Sequence, residues 1–154
     1  MKRTIKTSDA HSVYPVLANI KYPKGNKKAF CALMRNGDRL RPIYEGYQKF
    51  FNDARVKCQP DDFDSFVEKF NNRQNLPPAE RAAVEAVARE MDRNLEECVK
   101  PRYEEEHTVD LDPLSEDDIF DIAAVNDFTG ATIMTLRDIF LFSPEEQPAA
   151  PETK

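Results

Sequence analysis

Six side chains with oxygen or nitrogen donor atoms fall within nine consecutive positions of the chain. They are Glu104, Glu105, Glu106, His107, Asp110 and Asp112. Hard divalent cations accept such ligands. The spacing matches neither an EF-hand loop, which needs a glycine at its sharp turn, nor an HExxH helix. We therefore predict a solvated acidic connector over 104–112 and no metal. The alternative, a metal-dependent enzyme built on this connector, would take its ligands from Glu106, His107, Asp110 and Asp112.

Nucleophilic catalysis would need a base beside the nucleophile, and the chain has only two histidines, His11 and His107. Neither stands in a local context known for activating a cysteine such as Cys31 or Cys98. The four glycines are scattered, so no glycine-rich loop is present to hold a phosphate. We predict a protein without catalytic activity and without a cofactor.

A cluster of cations early in the chain indicates a different chemistry, the binding of an anionic partner. The segment 21–41 contains Lys21, Lys24, Lys27, Lys28, Arg35, Arg39 and Arg41. Residues 1–58 carry 13 Lys or Arg against 4 Asp or Glu, whereas 59–154 carry 9 against 24. This asymmetry is typical of a basic face for an anionic partner, or of two halves that attract one another within the fold.

The acids that follow define a second candidate surface. We predict an acidic helical face within 60–126, represented by Glu85, Glu90, Asp92, Glu96 and Glu97. Such a face suits a basic protein partner, and a dense one-sided spread of acids would imitate a phosphate backbone toward a nucleic-acid-binding protein. The functional hypothesis is a small regulatory or inhibitory protein that binds a macromolecule through oppositely charged faces. The second hypothesis is nucleic-acid binding, with the basic segment contacting phosphates.

Two interpretations of the segment 13–44 are open. As strands, it forms an antiparallel hairpin or meander with a turn at Asn36-Gly37, because this dipeptide tolerates positive φ angles. As a helix, Phe30, Leu33 and Met34 form an apolar stripe that ends at Gly37. We prefer strands, because the prolines in this segment suit edges and turns better than helix interiors.

Helical patterns are clearer after this segment. A short helix is expected at 44–54, and one from Phe63 carries a phenylalanine stripe that faces the core. A long helix is expected from Pro78 to about residue 99, ended by Pro101. Ser115 is the predicted N-cap of a further helix, and 131–142 is predicted to be the last one, although its residues also suit a strand.

These elements predict a mostly helical α+β protein with a small N-terminal antiparallel hairpin or meander on about four helices. The predicted organisation is a flexible start at 1–12, one globular domain at 13–142 and a disordered tail at 143–154. No stretch approaches the length of a membrane helix and no secretory signal is visible, so we expect a cytoplasmic protein. The oligomeric state stays open.

Overall fold

The computed structural model describes residues 1–22 and 24–141, and within them the chain forms six helices, one short 3₁₀ turn and two paired strands. The order is β1 (Lys2–Lys6), α1 (Thr7–Asn19), α2 (Lys27–Lys57), α3 (Phe63–Asn71), the 3₁₀ turn (Arg73–Asn75), α4 (Pro78–Tyr103), β2 (Glu106–Asp110), α5 (Glu116–Val125) and α6 (Gly130–Phe140). The predicted class, mostly helical α+β with a small antiparallel pair of strands that includes the N-terminus, is confirmed.

The chain divides into two compact units. Unit 1 consists of Met1–Glu45 and Glu105–Lys154, and unit 2 is the intervening segment Gly46–Glu104. Unit 1 is therefore built from two separate stretches of sequence, and α2 begins in one unit and ends in the other.

The strands are not where the sequence led us to expect them. Antiparallel pairing joins β1 to β2, with Arg3 opposite Val109 and Ile5 opposite His107. β1 and the first turns of α1 occupy residues 2–12, within the stretch for which we predicted a flexible start. β2 occupies the stretch that we predicted to be a solvated connector.

The preferred strand interpretation of 13–44 is wrong, because 13–19 belong to α1 and 27–44 belong to α2. Pro15 lies inside α1 and Pro42 inside α2, and Asn36-Gly37 lies in the middle of α2 rather than in a turn. A proline inside a helix costs about 3 kcal/mol. Burial of the apolar residues on these helices outweighs that cost, since each large aliphatic side chain removed from water contributes about 1.5–3 kcal/mol.

The core of unit 1 collects apolar side chains from both of its sequence stretches. Its largest fully buried apolar members are Val13, Leu33, Leu40, Leu111, Ile119, Ile122, Leu136 and Phe140. Ser115 caps α5 as predicted: its side-chain oxygen accepts from the backbone N–H of Asp118, whose carboxylate accepts from the N–H of Ser115. The predicted helix near the end is confirmed as α6. The predicted tail, 143–154, lies outside the described residues.

Unit 2 is helical and much less buried. Its buried apolar residues are Tyr47, Ala54 and Val84. The phenylalanines of α3 were expected in a core, but they are half-buried, and Phe66 and Phe70 contact each other with ring centroids 5.7 Å apart. The predicted helix at 44–54 is the end of α2, and α4 continues through Pro101 to Tyr103.

Candidate binding surface

The side chains of the acidic connector are divided between the two faces of β2. Glu106 and Asp110 are exposed, and His107 between them is half-buried, as the alternation of a strand requires. Nε2 of His107 lies 2.8 Å from Oγ1 of Thr7, and Asp110 pairs with the amino nitrogen of Met1 at 2.6 Å. Within the described part of the chain, no three His, Cys, Asp or Glu side chains form a group that could hold a metal ion.

Asp112, the remaining metal candidate, is bound by α2. Its carboxylate accepts hydrogen bonds from Arg35 and, at 2.8 Å, from Nη1 of Arg39. Its backbone N–H donates to Oδ1 of Asn36 at 2.7 Å, and its carbonyl accepts from Nδ2 of Asn36 at 2.9 Å. Partial burial on its own would raise the pKa of Asp112, but the hydrogen bonds from Arg39 and Arg35 outweigh it and hold the pKa below its usual value.

The lowered pKa makes the contribution of Asp112 to stability dependent on pH. A carboxyl whose pKa is lower in the folded than in the unfolded state stabilises the fold above its unfolded pKa, near 4, and this contribution is lost as the pH falls through the folded value. We expect Asp112→Asn to lower the free energy of unfolding at pH 7 by about 1–2 kcal/mol, and the difference from the native protein to shrink below a pH of about 4.

Urea denaturation followed at a series of pH values measures this difference. The matched control is Asp53→Asn, which changes an exposed aspartate of α2, and we expect it to leave stability nearly unchanged at each pH. If Asp112→Asn lowered the free energy of unfolding equally at pH 3 and pH 7, the lowered pKa of Asp112 in the folded state would be contradicted.

The three arginines of the basic segment are engaged within unit 1. Arg35 and Arg39 pair with Asp112. Arg41 pairs with Asp38 at 3.1 Å, and its Nε donates to the hydroxyl oxygen of Tyr14 at 3.1 Å. They are therefore already paired with groups of their own chain.

The four lysines differ from the arginines. Lys21, Lys24, Lys27 and Lys28 are exposed, and no ion pair joins any of them to a carboxylate within residues 1–22 and 24–141. We call them the lysine surface. Lys27 and Lys28 begin α2, where the helix dipole disfavours cations, and no acid occupies this first turn. The helix dipole therefore does not explain these charges, although Lys28 also has a favourable electrostatic interaction with Asp118 of α5.

A network of hydrogen bonds fixes the backbone that carries the lysine surface. Gly25 adopts a positive φ of 101° in the turn, a conformation that favours glycine. Asn26 caps α2, since its Oδ1 accepts from the N–H of Ala29 at 3.0 Å. Its Nδ2 donates to Asp118 at 2.9 Å and to Asp121 at 3.1 Å, which attaches the turn to α5.

Apolar side chains adjoin the lysine surface. The rings of Tyr22 and Phe30 meet edge to face with centroids 4.3 Å apart, and the hydroxyl of Tyr22 donates to Sδ of Met34 at 3.2 Å. Phe30 is 38% exposed and Met34 is 46% exposed. Helical spacing places both on the same side of α2 as Lys27. We call Tyr22, Phe30 and Met34 the apolar cluster.

The candidate acidic face lies on a single helix. Glu85, Glu90, Asp92, Glu96 and Glu97 all belong to α4, and all but Glu85 are exposed. α4 contains six acids, but it also contains five bases, and Arg89 and Arg93 lie between acids at helical spacing. The acids of this helix are therefore interleaved with cations rather than gathered into one negative surface.

Folding brings the basic and acidic parts of the sequence together in unit 1. Residues 1–45 carry ten Lys or Arg against three Asp or Glu, and 105–141 carry one against ten. Unit 2 carries ten Lys or Arg against twelve Asp or Glu. Each unit is thus close to neutral over these residues, and the lysine surface is a local feature rather than one half of a polarised molecule.

Sequence reasoning grouped all seven cations together, because Asp112, the partner of Arg35 and Arg39, lies more than 70 residues along the chain. It treated Phe30 and Met34 only as a possible apolar stripe. Two lysines in the first turn of a helix would have been a usable signal, since acids are preferred there.

A scan against protein-family models, a search of curated proteins and a search of solved structures each returned no match. Over the residues that the structure describes, no helix combines the length and the apolar character that crossing a membrane requires.

Proposed function

We propose that this protein is a non-catalytic binding protein, and that the lysine surface and the apolar cluster together bind an acidic segment of a partner protein. The observation that carries the proposal is the contrast within the basic segment. Its three arginines are paired inside unit 1, whereas Lys21, Lys24, Lys27 and Lys28 are exposed without an ion pair to a described carboxylate. Unpaired charge of one sign beside exposed apolar side chains is complementary to an acidic segment with an apolar residue.

Two observations favour a protein partner over a nucleic acid. The three arginines of the basic segment, the residue type that makes bidentate contacts to phosphates and bases, are paired with Asp112 and Asp38. The described residues of the basic segment do not form the two-stranded ribbon expected to enter a groove of DNA, because Lys27–Lys57 is helical.

Charge reversal on the lysine surface tests the proposal. We expect Lys24→Glu/Lys27→Glu to weaken binding of a short synthetic peptide, rich in Asp and Glu with one central phenylalanine, by about tenfold or more, as measured by fluorescence anisotropy. The fold should tolerate the change, since an acid at Lys27 improves the first turn of α2 by about 0.3–1 kcal/mol. The affinity of the native protein should also fall as salt is added.

The matched control is Lys49→Glu/Lys57→Glu, which makes the same change of net charge at two exposed lysines near the other end of α2. We expect it to bind the peptide as the native protein does. Equal affinity of both double variants would overturn the proposal. So would tight binding of a single-stranded oligonucleotide together with no binding of the acidic peptide, because that result supports the nucleic-acid alternative.

A further inference from the structure

A cavity of about 230 Å³ opens between α1 and α2 in unit 1. Leu17 and Leu33, both almost completely buried, belong to its lining. Tyr22 and Met34 of the apolar cluster also line it, so the cavity is continuous with the exposed surface beside the lysines. Pockets that enclose a drug-sized molecule usually measure about 300–1,000 Å³. This cavity is smaller, and its size suits one large side chain.

Gly37 lines the same cavity without being required by the packing. It lies in the interior of α2, where glycine costs about 1 kcal/mol relative to alanine. A Cβ atom built at this position meets Cβ of Leu17 at 3.9 Å, an ordinary van der Waals distance. Alanine would therefore fit and would strengthen the helix. What glycine adds is empty space at the wall of the cavity.

The polar groups at the cavity satisfy one another. Arg41 is bonded to Asp38 and to the hydroxyl oxygen of Tyr14, so the guanidinium and the carboxylate form a neutral pair. An apolar group entering beside Leu17 and Leu33 would leave these bonds intact. The negative charges of a bound segment would instead lie toward the lysine surface.

We propose that this cavity receives one large apolar side chain, such as phenylalanine or leucine, from the acidic partner segment. This inference rests on the proposed function and adds an anchor to it. Binding energy at protein interfaces concentrates in a few large residues that fill pockets. The lysine surface recognises the charge of the segment, and the cavity selects for the apolar residue within it.

Two glycine variants and two peptides test the anchor. The first peptide is the acidic one with a central phenylalanine, and the second has alanine in its place. We expect the native protein to bind the phenylalanine peptide about tenfold more tightly. Gly37→Ala should reduce that preference while leaving the affinity for the alanine peptide unchanged, because its methyl group takes up part of the cavity.

Gly46→Ala is the matched control, since Gly46 also lies in the interior of α2 and a Cβ atom there meets nothing within 4 Å. Both variants should be more stable than the native protein, so loss of the preference in Gly37→Ala alone cannot come from unfolding. A full preference retained by Gly37→Ala would overturn the anchor. If the native protein binds both peptides equally and Lys24→Glu/Lys27→Glu weakens both, the anchor is overturned and the proposed function stands. If neither peptide binds, both the anchor and the proposed function are overturned.

Discussion

Replacing Asn36 by alanine is expected to lower the free energy of unfolding by about 3 kcal/mol. Asn36 is 0% exposed in the interior of α2, and its side-chain amide makes one hydrogen bond to the N–H and one to the carbonyl of Asp112. Alanine removes both partners at once. A buried polar group that loses its partner costs about 1–3 kcal/mol.

Hydrogen exchange of the backbone amides of α1 and β2 measures this loss of stability within unit 1. Asn52→Ala is the control, because Asn52 is an exposed residue of the same helix; we expect it to change stability by less than about 0.5 kcal/mol. Protection of the unit 1 amides in Asn36→Ala within about 1 kcal/mol of the native value would show that water replaces the lost hydrogen bonds.

Truncating Phe140 to alanine is expected to cost about 3–5 kcal/mol. Phe140 is 0% exposed and belongs to the core cluster of unit 1. The substitution removes apolar contacts and leaves a cavity, because a close-packed interior relaxes only in part. The backbone carbonyl of Phe140 accepts from the N–H of Leu114 at 3.0 Å, and the substitution itself leaves that group in place.

Phe120→Ala is a control with the same change of side chain, since Phe120 is 61% exposed on α5. We expect its midpoint in urea denaturation to stay close to that of the native protein, and the midpoint of Phe140→Ala to fall sharply. Equal losses of stability in the two variants would contradict the assignment of Phe140 to the core of unit 1.

The sequence predicted correctly those helices and caps that are determined by residues close together in the chain. The N-cap at Ser115 and the start of a long helix at Pro78 depend on neighbouring residues, and the structure has both. The interpretation of 13–44 failed because Asn36-Gly37 and the prolines were weighed by local preference alone. The side chain of Asn36 bonds to Asp112, 76 residues away, and no local pattern contains that information.

The pairing of β1 with β2 was not predicted for the same reason, because it joins segments that are far apart in the sequence. Lys2–Lys6 and Glu106–Asp110 each alternate over only five residues, and neither is convincing alone. At the candidate surface, the residue types that bind anions were evident from the sequence. The sequence did not show which of these residues are free for binding, because that depends on Asp112 and Asp38 lying beside the arginines.

The discontinuous construction of unit 1 has a consequence for how the chain is made. β1 leaves the ribosome early, whereas its pairing partner follows after all of unit 2. At a synthesis rate of about 5–20 residues per second, β1 waits for several seconds. Gly46–Glu104 acquires its full complement of residues just before β2 is made. The nascent polypeptide thus carries an unpaired strand until β2 emerges and the apolar side of α1 until α6 emerges, periods in which chaperones have access to both.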